Sequence, residues 1–442
     1  MAEVFDRVCE AVRASMEETQ TPGVAVGLLH EGEEQVAGFG VTSTENPLEV
    51  TPDTLFQIGS ITKTFTGTAA MRLVERGELD LDAPVRTYLP ALELSDDDVA
   101  ARVTTRHLLT HTGGWIGDYF DDFGGGDDAL ARMCDSLALL PQLTPLGEVW
   151  SYNNAGFYLA GRVIETIAGK PYETALQELV LEPLGLEHTF FHPDDVMTRR
   201  FAVGHLRNED GPPNVARPWG IGRAHHAAGG IAATAGDLLR YARFHMGDGD
   251  GVLKRATLDE MQTSQLEVGS TFEFVGITWS ISEQTGARLV GHSGGTNGQQ
   301  SLFFFAPEHD FALAVLTNHQ SGSDVAGAAR APALEAIGAR EPEREAIDLD
   351  VDEYLGRYES ALIEAELRRD DGTLVLAVAP KGGFPKKDSP PPPAPPPEPV
   401  AFYAPNRLFA TGGTPGEADF LRSEDGSIAW FRVGGRVMAP VR

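Results

Sequence analysis

Val4, Phe5, Val8, Val12 and Met16 recur at helical spacing over residues 3–20, and Thr21-Pro22-Gly23 ends that run. Two short apolar segments, GVAVGLLH and EQVAGFGV, follow on either side of Glu31-Gly32-Glu33 and predict a β-hairpin. From Ser60 the period turns helical again, through Ile61, Phe65, Ala69, Leu73 and Val74, with Gly77 as the expected C-terminal stop. Residues 90–250 then alternate helical patterns (155–167, 172–180, 235–245) with loops. Strand signals return only in TFEFVGITWSI, RLVGH, QSLFFFA and FALAVLTN. Strands at both ends of a core with helices between them predict an α+β fold whose sheet is closed by distant segments.

After residues 333–350, a helix end and a charged connector, the chain changes character. Short alternating strands meet at Asp371-Gly372 and Asp425-Gly426, both hairpin signals. Residues 351–442 therefore predict a small all-β domain, interrupted by a proline-rich segment at 390–399 that reads as a solvated loop between two strands. The expected organisation is an α+β domain over 1–335, a linker over 336–350 and the β-domain beyond. No internal repeat is visible.

Composition narrows the function. The 442 residues hold 65 acidic and 35 basic side chains, a net charge of −30 that argues against nucleic-acid or anionic-membrane partners. Only six of the basic residues are lysine, a bias that together with the acid excess predicts a protein adapted to molar salt. No apolar run approaches the ~20 residues of a membrane span, and the start of the chain lacks a signal-peptide core. Cys9 and Cys134 stand too far apart in sequence for a disulfide framework or metal cluster, so a reduced cytoplasmic protein is expected.

Three segments could carry chemistry. In Ser60-Ile61-Thr62-Lys63 one helical turn would bring hydroxyl and amine onto one face, beside backbone N–H groups that favour a developing anion. The same residues also fit a capping serine and an exposed lysine. Tyr152-Asn153-Asn154 could turn a phenol and an amide into one cleft, or could be a helix start with an asparagine cap. Gly291-His292-Ser293-Gly294-Gly295 could let a substrate approach a strand edge closely, with the Gly295 N–H pairing with that of Ser60 as an oxyanion hole, or could be a glycine-rich turn with an incidental histidine. Those five residues also spell G-x-S-x-G, but a strand rather than a helix is predicted to follow, so Ser293 is not read as a nucleophile.

Taken together, Ser-x-x-Lys, Tyr-x-Asn and His-x-Gly in this order resemble the serine β-lactamase and penicillin-binding-protein superfamily, specifically its class C-related branch of esterases, D-aminopeptidases and DD-carboxypeptidases. TPDTLFQIGSITKTFT, HLLTHTGG, WSYNNAGFYLAGRVIETIAGKPY, EPLGLEHTFF and AAGGIAATAGDLLRYARF extend the resemblance over about residues 20–320. It implies an antiparallel sheet flanked by helices, with an all-helical subdomain. Ser60 would be the acylated nucleophile and Lys63 and Tyr152 would manage its proton. Asn154 would contact Lys63 or the substrate, and His292 would take the place of the third motif's basic residue. Ser293 and Gly294 would contact substrate, and Trp115, apart from the resemblance, reads equally as a substrate contact in the acyl pocket or as core. No cofactor and no metal are implied, and the partner would be a small ester, amide or peptide.

His292 departs from the lysine that true class C β-lactamases carry at this position, which moves the expected substrate from penicillins towards esters, amides and D-amino-acid peptides. The C-terminal β-domain is only loosely similar to the lipocalin-like domain that some relatives append. His225-His226 read as pocket-lining or surface residues, and the DDFGGGDD stretch at 121–128 as a flexible solvated loop near the cleft. Tyr119 is a further candidate for the acyl pocket.

Overall fold

A computed structural model of the chain describes residues 2–208, 211–269, 272–412 and 416–441. Thr271, the first residue of the TFEFVGITWSI segment, lies outside the described residues.

The expected sheet is present as eight antiparallel strands. Their order is Glu33–Gly40, Gly23–His30, Phe311–Thr317, Gln299–Ala306, Ala287–Thr296, Ser280–Gln284, Phe274–Val275 and Leu266–Glu267. The N-terminal hairpin meets the last long strand in register Val26↔Val315, so segments nearly 300 residues apart in sequence close the sheet. Both faces are covered, which is why FALAVLT is buried at every position instead of alternating with polar residues. On one face Val24, Val26, Leu28, Phe304 and Leu313 pack against the helices Ala2–Thr19 and Gly322–Ala336. On the other, Ala25, Leu29, Phe303 and Phe305 join a core with Leu238, Leu239 and Tyr241 of the helix Ala235–Met246.

That second face also receives the buried helix Thr62–Glu75 and, beyond it, the all-helical part built around Asn154–Ala168. The sequence TKTFTGT puts four threonines in the buried first turns of Thr62–Glu75, and each hydroxyl is hydrogen-bonded, Thr62 Oγ1 accepting the Ile231 N–H at 3.2 Å. Thr64 and Thr66 donate to the carbonyls of Ile61 and Ala227, and Thr68 shares a hydrogen bond with the Tyr241 hydroxyl. Gly67 is a close-approach residue: a Cβ there would stand 2.5 Å from Thr278 Cγ2.

The C-terminal strands form a closed eight-stranded barrel, from Gly356–Glu359 to Arg436–Pro440, with Tyr358 opposite Pro440 at the seam. Its small core is aromatic, with Phe420 and Phe431 stacked at 4.2 Å among Tyr354, Tyr358 and Phe402. Asp371-Gly372 turns one hairpin with both residues at positive φ, as its sequence requires. The proline-rich segment does join two strands, but the second begins at Glu398, so Glu398 and Pro399 belong to the sheet and the loop ends earlier than expected.

Candidate active site

Ser60 sits in a single 3-10 turn, Gly59–Ile61, that leads into the helix Thr62–Glu75. Gly59 takes φ +52°, and a Cβ on it would lie 2.6 Å from the Gly295 backbone nitrogen. Gly294 is as tightly placed, since a Cβ there would lie 1.9 Å from the Ile58 carbonyl oxygen. Small residues in the third motif therefore let the strand Ala287–Thr296 run directly alongside the serine turn, and Ser301 Oγ donates to the Ile58 carbonyl at 2.9 Å to hold the two together.

Lys63 is fully buried. Its Nζ donates to Asn154 Oδ1 at 2.7 Å and to the Ala228 carbonyl at 2.7 Å and lies 3.1 Å from Ser60 Oγ, within hydrogen-bond distance. It also lies 4.8 Å from the centroid of the Tyr152 ring. Burial drives its pKa well below the usual lysine value, and the nearby Arg436 guanidinium pushes the same way. The Tyr152 phenol moves oppositely: burial raises its pKa, and a side-chain hydrogen bond with Ser60 only partly offsets that. The alternative of an exposed lysine beside a capping serine is thus excluded by geometry.

The YNN segment combines both of its readings. Asn153 is the N-cap, accepting the Gly156 N–H at 2.7 Å and donating to the Trp115 carbonyl at 2.9 Å. Asn154 instead turns towards Lys63, and its Nδ2 donates to Asp118 Oδ1 at 2.9 Å. His292, Ser293, Gly294 and Gly295 all line the cleft. Burial and Lys63 push the His292 imidazole down to about 4, so the ring is neutral at pH 7. Ser293 lies within a strand and is followed by another strand, so no nucleophile elbow forms there.

Trp115 is placed differently from the expectation. It is only 3 % exposed, packs in the main core and is absent from the cleft wall; its structural part is the carbonyl that anchors Asn153. The histidine pair divides as well. His225 lines the cleft, whereas His226 shares a hydrogen bond with Glu173 at 2.7 Å, and Glu173 is also paired with Arg223. The 121–128 loop is tied down: Arg223 bridges Asp127, and Lys386 and Lys387 reach Asp122 and Asp121 at 3.3 and 3.1 Å.

Four contributors were missed by sequence reasoning. His111 stacks on Tyr152 at 4.4 Å and accepts the Asn153 N–H, with a pKa held well below that of free histidine by burial. Asp118 joins the site because Gly117 lets its segment press on the start of the helix Asn154–Ala168; a Cβ at 117 would lie 2.4 Å from Asn153 Cα. Gly435 and Arg436 come from the barrel. The Gly435 carbonyl accepts the Tyr152 N–H at 2.8 Å, and the Arg436 guanidinium pairs with Asp118 and lies 4.7 Å from the Tyr152 ring centroid. Of the four, only His111 had a signal, the HLLTHTGG segment.

The resulting cleft has a volume of about 920 Å³. It is lined by Ser60, Tyr152, Asn154 and His292, by Phe120, Ile221 and His225, and by Phe384 and Pro390–Pro393 from the C-terminal part of the chain. Phe384 meets Phe120 edge-on at 5.0 Å. The proline-rich loop is therefore part of the cleft rather than a segment turned wholly to solvent.

The Ser60–Lys63–Tyr152 arrangement, with its lysine fully buried, stands at the junction of an antiparallel sheet and a helical region, and the chain matches the family model Beta-lactamase over residues 8–337. The chain belongs to the beta-lactamase family. Penicillin-binding protein 4 of Amycolatopsis lactamdurans is 34% identical to it over 311 residues, 68% of this chain and 82% of that protein. SurE, solved with D-Leu, superposes over 100% of both chains with a TM-score of 0.76 and 25% identity, so the two-part architecture is shared throughout. A class C beta lactamase from Rhodobacter sphaeroides covers 76% of this beta-lactamase-family chain and is itself covered in full, with a TM-score of 0.64 and 26% identity. Membership makes the chain a serine hydrolase of the β-lactamase and penicillin-binding-protein type.

Proposed function

We propose that this hydrolase forms an acyl-enzyme at Ser60 with small esters or amides, D-amino-acid peptides included. The observation that carries the reading is the fully buried Lys63 amine, 3.1 Å from Ser60 Oγ and held towards its neutral form. A neutral amine takes the Ser60 proton as Oγ attacks the substrate carbonyl. The N–H groups of Ser60 and Gly295 then receive the oxyanion. Tyr152, kept protonated by burial, gives its proton to the departing oxygen or nitrogen and recovers one from Lys63, and water later cleaves the acyl ester.

The neutral His292 supports esters and amides over penicillins, because a substrate carboxylate finds no fixed cation at that position. SurE, similar over its whole length, was solved with D-Leu, which supports D-amino-acid peptides as substrates here. Two buried, unpaired cysteines and the charge of −30 support a reducing, salt-rich cytoplasm. The test is hydrolysis of a short p-nitrophenyl ester, a D-alanine p-nitroanilide and a chromogenic cephalosporin in molar KCl. Wild type should turn over the first two and Ser60→Ala neither; activity that survives Ser60→Ala overturns the reading.

A further inference from the structure

We propose that Arg436, carried by the C-terminal barrel, is a positioning residue for acylation: by pairing with Asp118 it fixes the Asn154 amide and, through it, the Lys63 amine on Ser60. The inference rests on the reading of Ser60 as the acylated nucleophile.

The Asp118 carboxylate is 5% exposed and receives three donors. Arg436 Nε reaches Oδ2 at 3.0 Å, Arg436 Nη2 reaches Oδ1 at 3.3 Å, and Asn154 Nδ2 reaches Oδ1 at 2.9 Å. An asparagine amide has one donating and one accepting end. With its nitrogen committed to Asp118, Asn154 must turn its oxygen to Lys63, where it accepts at 2.7 Å. A flipped Asn154 would turn its oxygen onto the Asp118 carboxylate and set its NH₂ group to compete with Ser60 for the lone pair of the amine. Asp118 thus decides the direction of Asn154, and Arg436 supplies the other two donors to a carboxylate that is almost wholly buried.

Arg436 also balances charge around the amine. Lys63 is faced by Asp118, which favours its ammonium form, and by Arg436, which opposes it. The other titratable groups facing it are Tyr152, His111 and His292, and burial keeps all three uncharged near neutral pH. Removing the guanidinium leaves Asp118 uncompensated and draws a proton onto Lys63. Removing the Asp118 charge does the reverse.

The hairpin that carries Arg436 has other anchors on the same segment. The Tyr152 N–H donates to the Gly435 carbonyl, Arg432 Nη1 donates to the Trp150 carbonyl at 3.0 Å, and the Val437 N–H donates to Ser151 Oγ at 3.3 Å. A substitution at 436 therefore leaves the barrel docked and tests the guanidinium itself.

The experiment follows the rate of Ser60 labelling by a fluorophosphonate from pH 5 to 9, in full-length wild type, Arg436→Met, Arg436→Lys and Asp118→Asn. In wild type the rate should rise with pH as Lys63 loses its proton. Arg436→Met should label at least about tenfold more slowly at neutral pH, with the rising limb about one pH unit higher. Arg436→Lys should return the limb to its wild-type position, and Asp118→Asn should move it lower. A merely structural arginine would slow every variant without moving the limb, and that result overturns the proposal, as does an Arg436→Met profile equal to wild type. If Arg436→Met does not fold, the direction of the Asp118→Asn shift decides alone. Wild type that is not labelled at Ser60 refutes the acyl-enzyme reading instead, so the two failures are told apart.

Discussion

The Gly435 carbonyl, at the tip of a barrel hairpin, accepts the backbone N–H of Tyr152 at 2.8 Å. Two parts of the chain with separate hydrophobic cores are thus joined by a backbone hydrogen bond at the candidate site. Gly435 has φ +76°, and a Cβ on it would come 2.8 Å from Trp150 Cη2, so any side chain there strains the turn and pushes the hairpin off Trp150. Gly435→Val should lower kcat/KM for a p-nitrophenyl ester at least about tenfold, because a small displacement of Tyr152 disturbs the aligned geometry. Circular dichroism of the variant should stay that of the folded wild type. Full activity in Gly435→Val would show that the hairpin contact is incidental.

Acid should destabilise the fold through its buried histidines. Burial pushes His225 and His292 each down to about 4, against an ordinary value of 6.5. Between pH 6.5 and 4 the unfolded chain therefore binds protons that the folded chain refuses, and stability falls as pH falls. Each ring contributes at most on the order of 3 kcal/mol across that interval. Thermal unfolding at pH 7 and pH 5 should show a smaller drop in Tm for His225→Gln than for wild type. An equal drop would mean that carboxylates alone set the acid sensitivity.

Local signals exposed the serine turn, the helices and the strands, because each depends on residues close in sequence. Ser60 and Lys63 are three residues apart, and the hairpin Gly23–Gly40 carries its own turn. The strand runs of 299–306 and 311–317 were equally legible, since a sheet covered on both faces leaves continuous apolar stretches. What escaped was set by contacts without a local pattern. Asp118 and Arg436 are 318 residues apart, and nothing in GGR announces that its arginine will lie against the Tyr152 ring. Trp115 misled for the opposite reason: an aromatic residue near a motif fits a pocket wall and a core equally well until packing decides. The proline-rich loop was placed between two strands, yet only the docking of the barrel brings Pro390–Pro393 to the cleft.

Substrate choice should respond to charge at position 292. The neutral His292 lines the cleft beside Ser293 and Gly294 and offers a carboxylate no fixed cation. His292→Lys supplies a compact ammonium on a flexible stem that can reach into the cleft. The ratio of cephalosporin to simple-ester hydrolysis should rise about tenfold or more in this variant, even if both absolute rates fall. An unchanged ratio would mean that substrate carboxylates are not read at this position.

The loop that carries Phe384 and Pro390–Pro393 over the cleft is pinned by Lys386–Asp122 and Lys387–Asp121. The lysine side chains are 54% and 70% exposed, so solvent screens both pairs and neither holds up the fold. Their effect should fall on occupancy of the Phe120–Phe384 wall instead. Replacing both lysines, Lys386→Glu with Lys387→Glu, should leave Tm within a few degrees of wild type. It should also raise KM several-fold for esters with long apolar acyl chains, while an acetyl ester is unaffected. Molar salt should produce part of the same rise in wild type, because screening at that ionic strength acts over about 3 Å, the length of the pairs themselves. Equal KM values for long and short chains across both proteins and both salt conditions would show that the loop does not shape the acyl pocket.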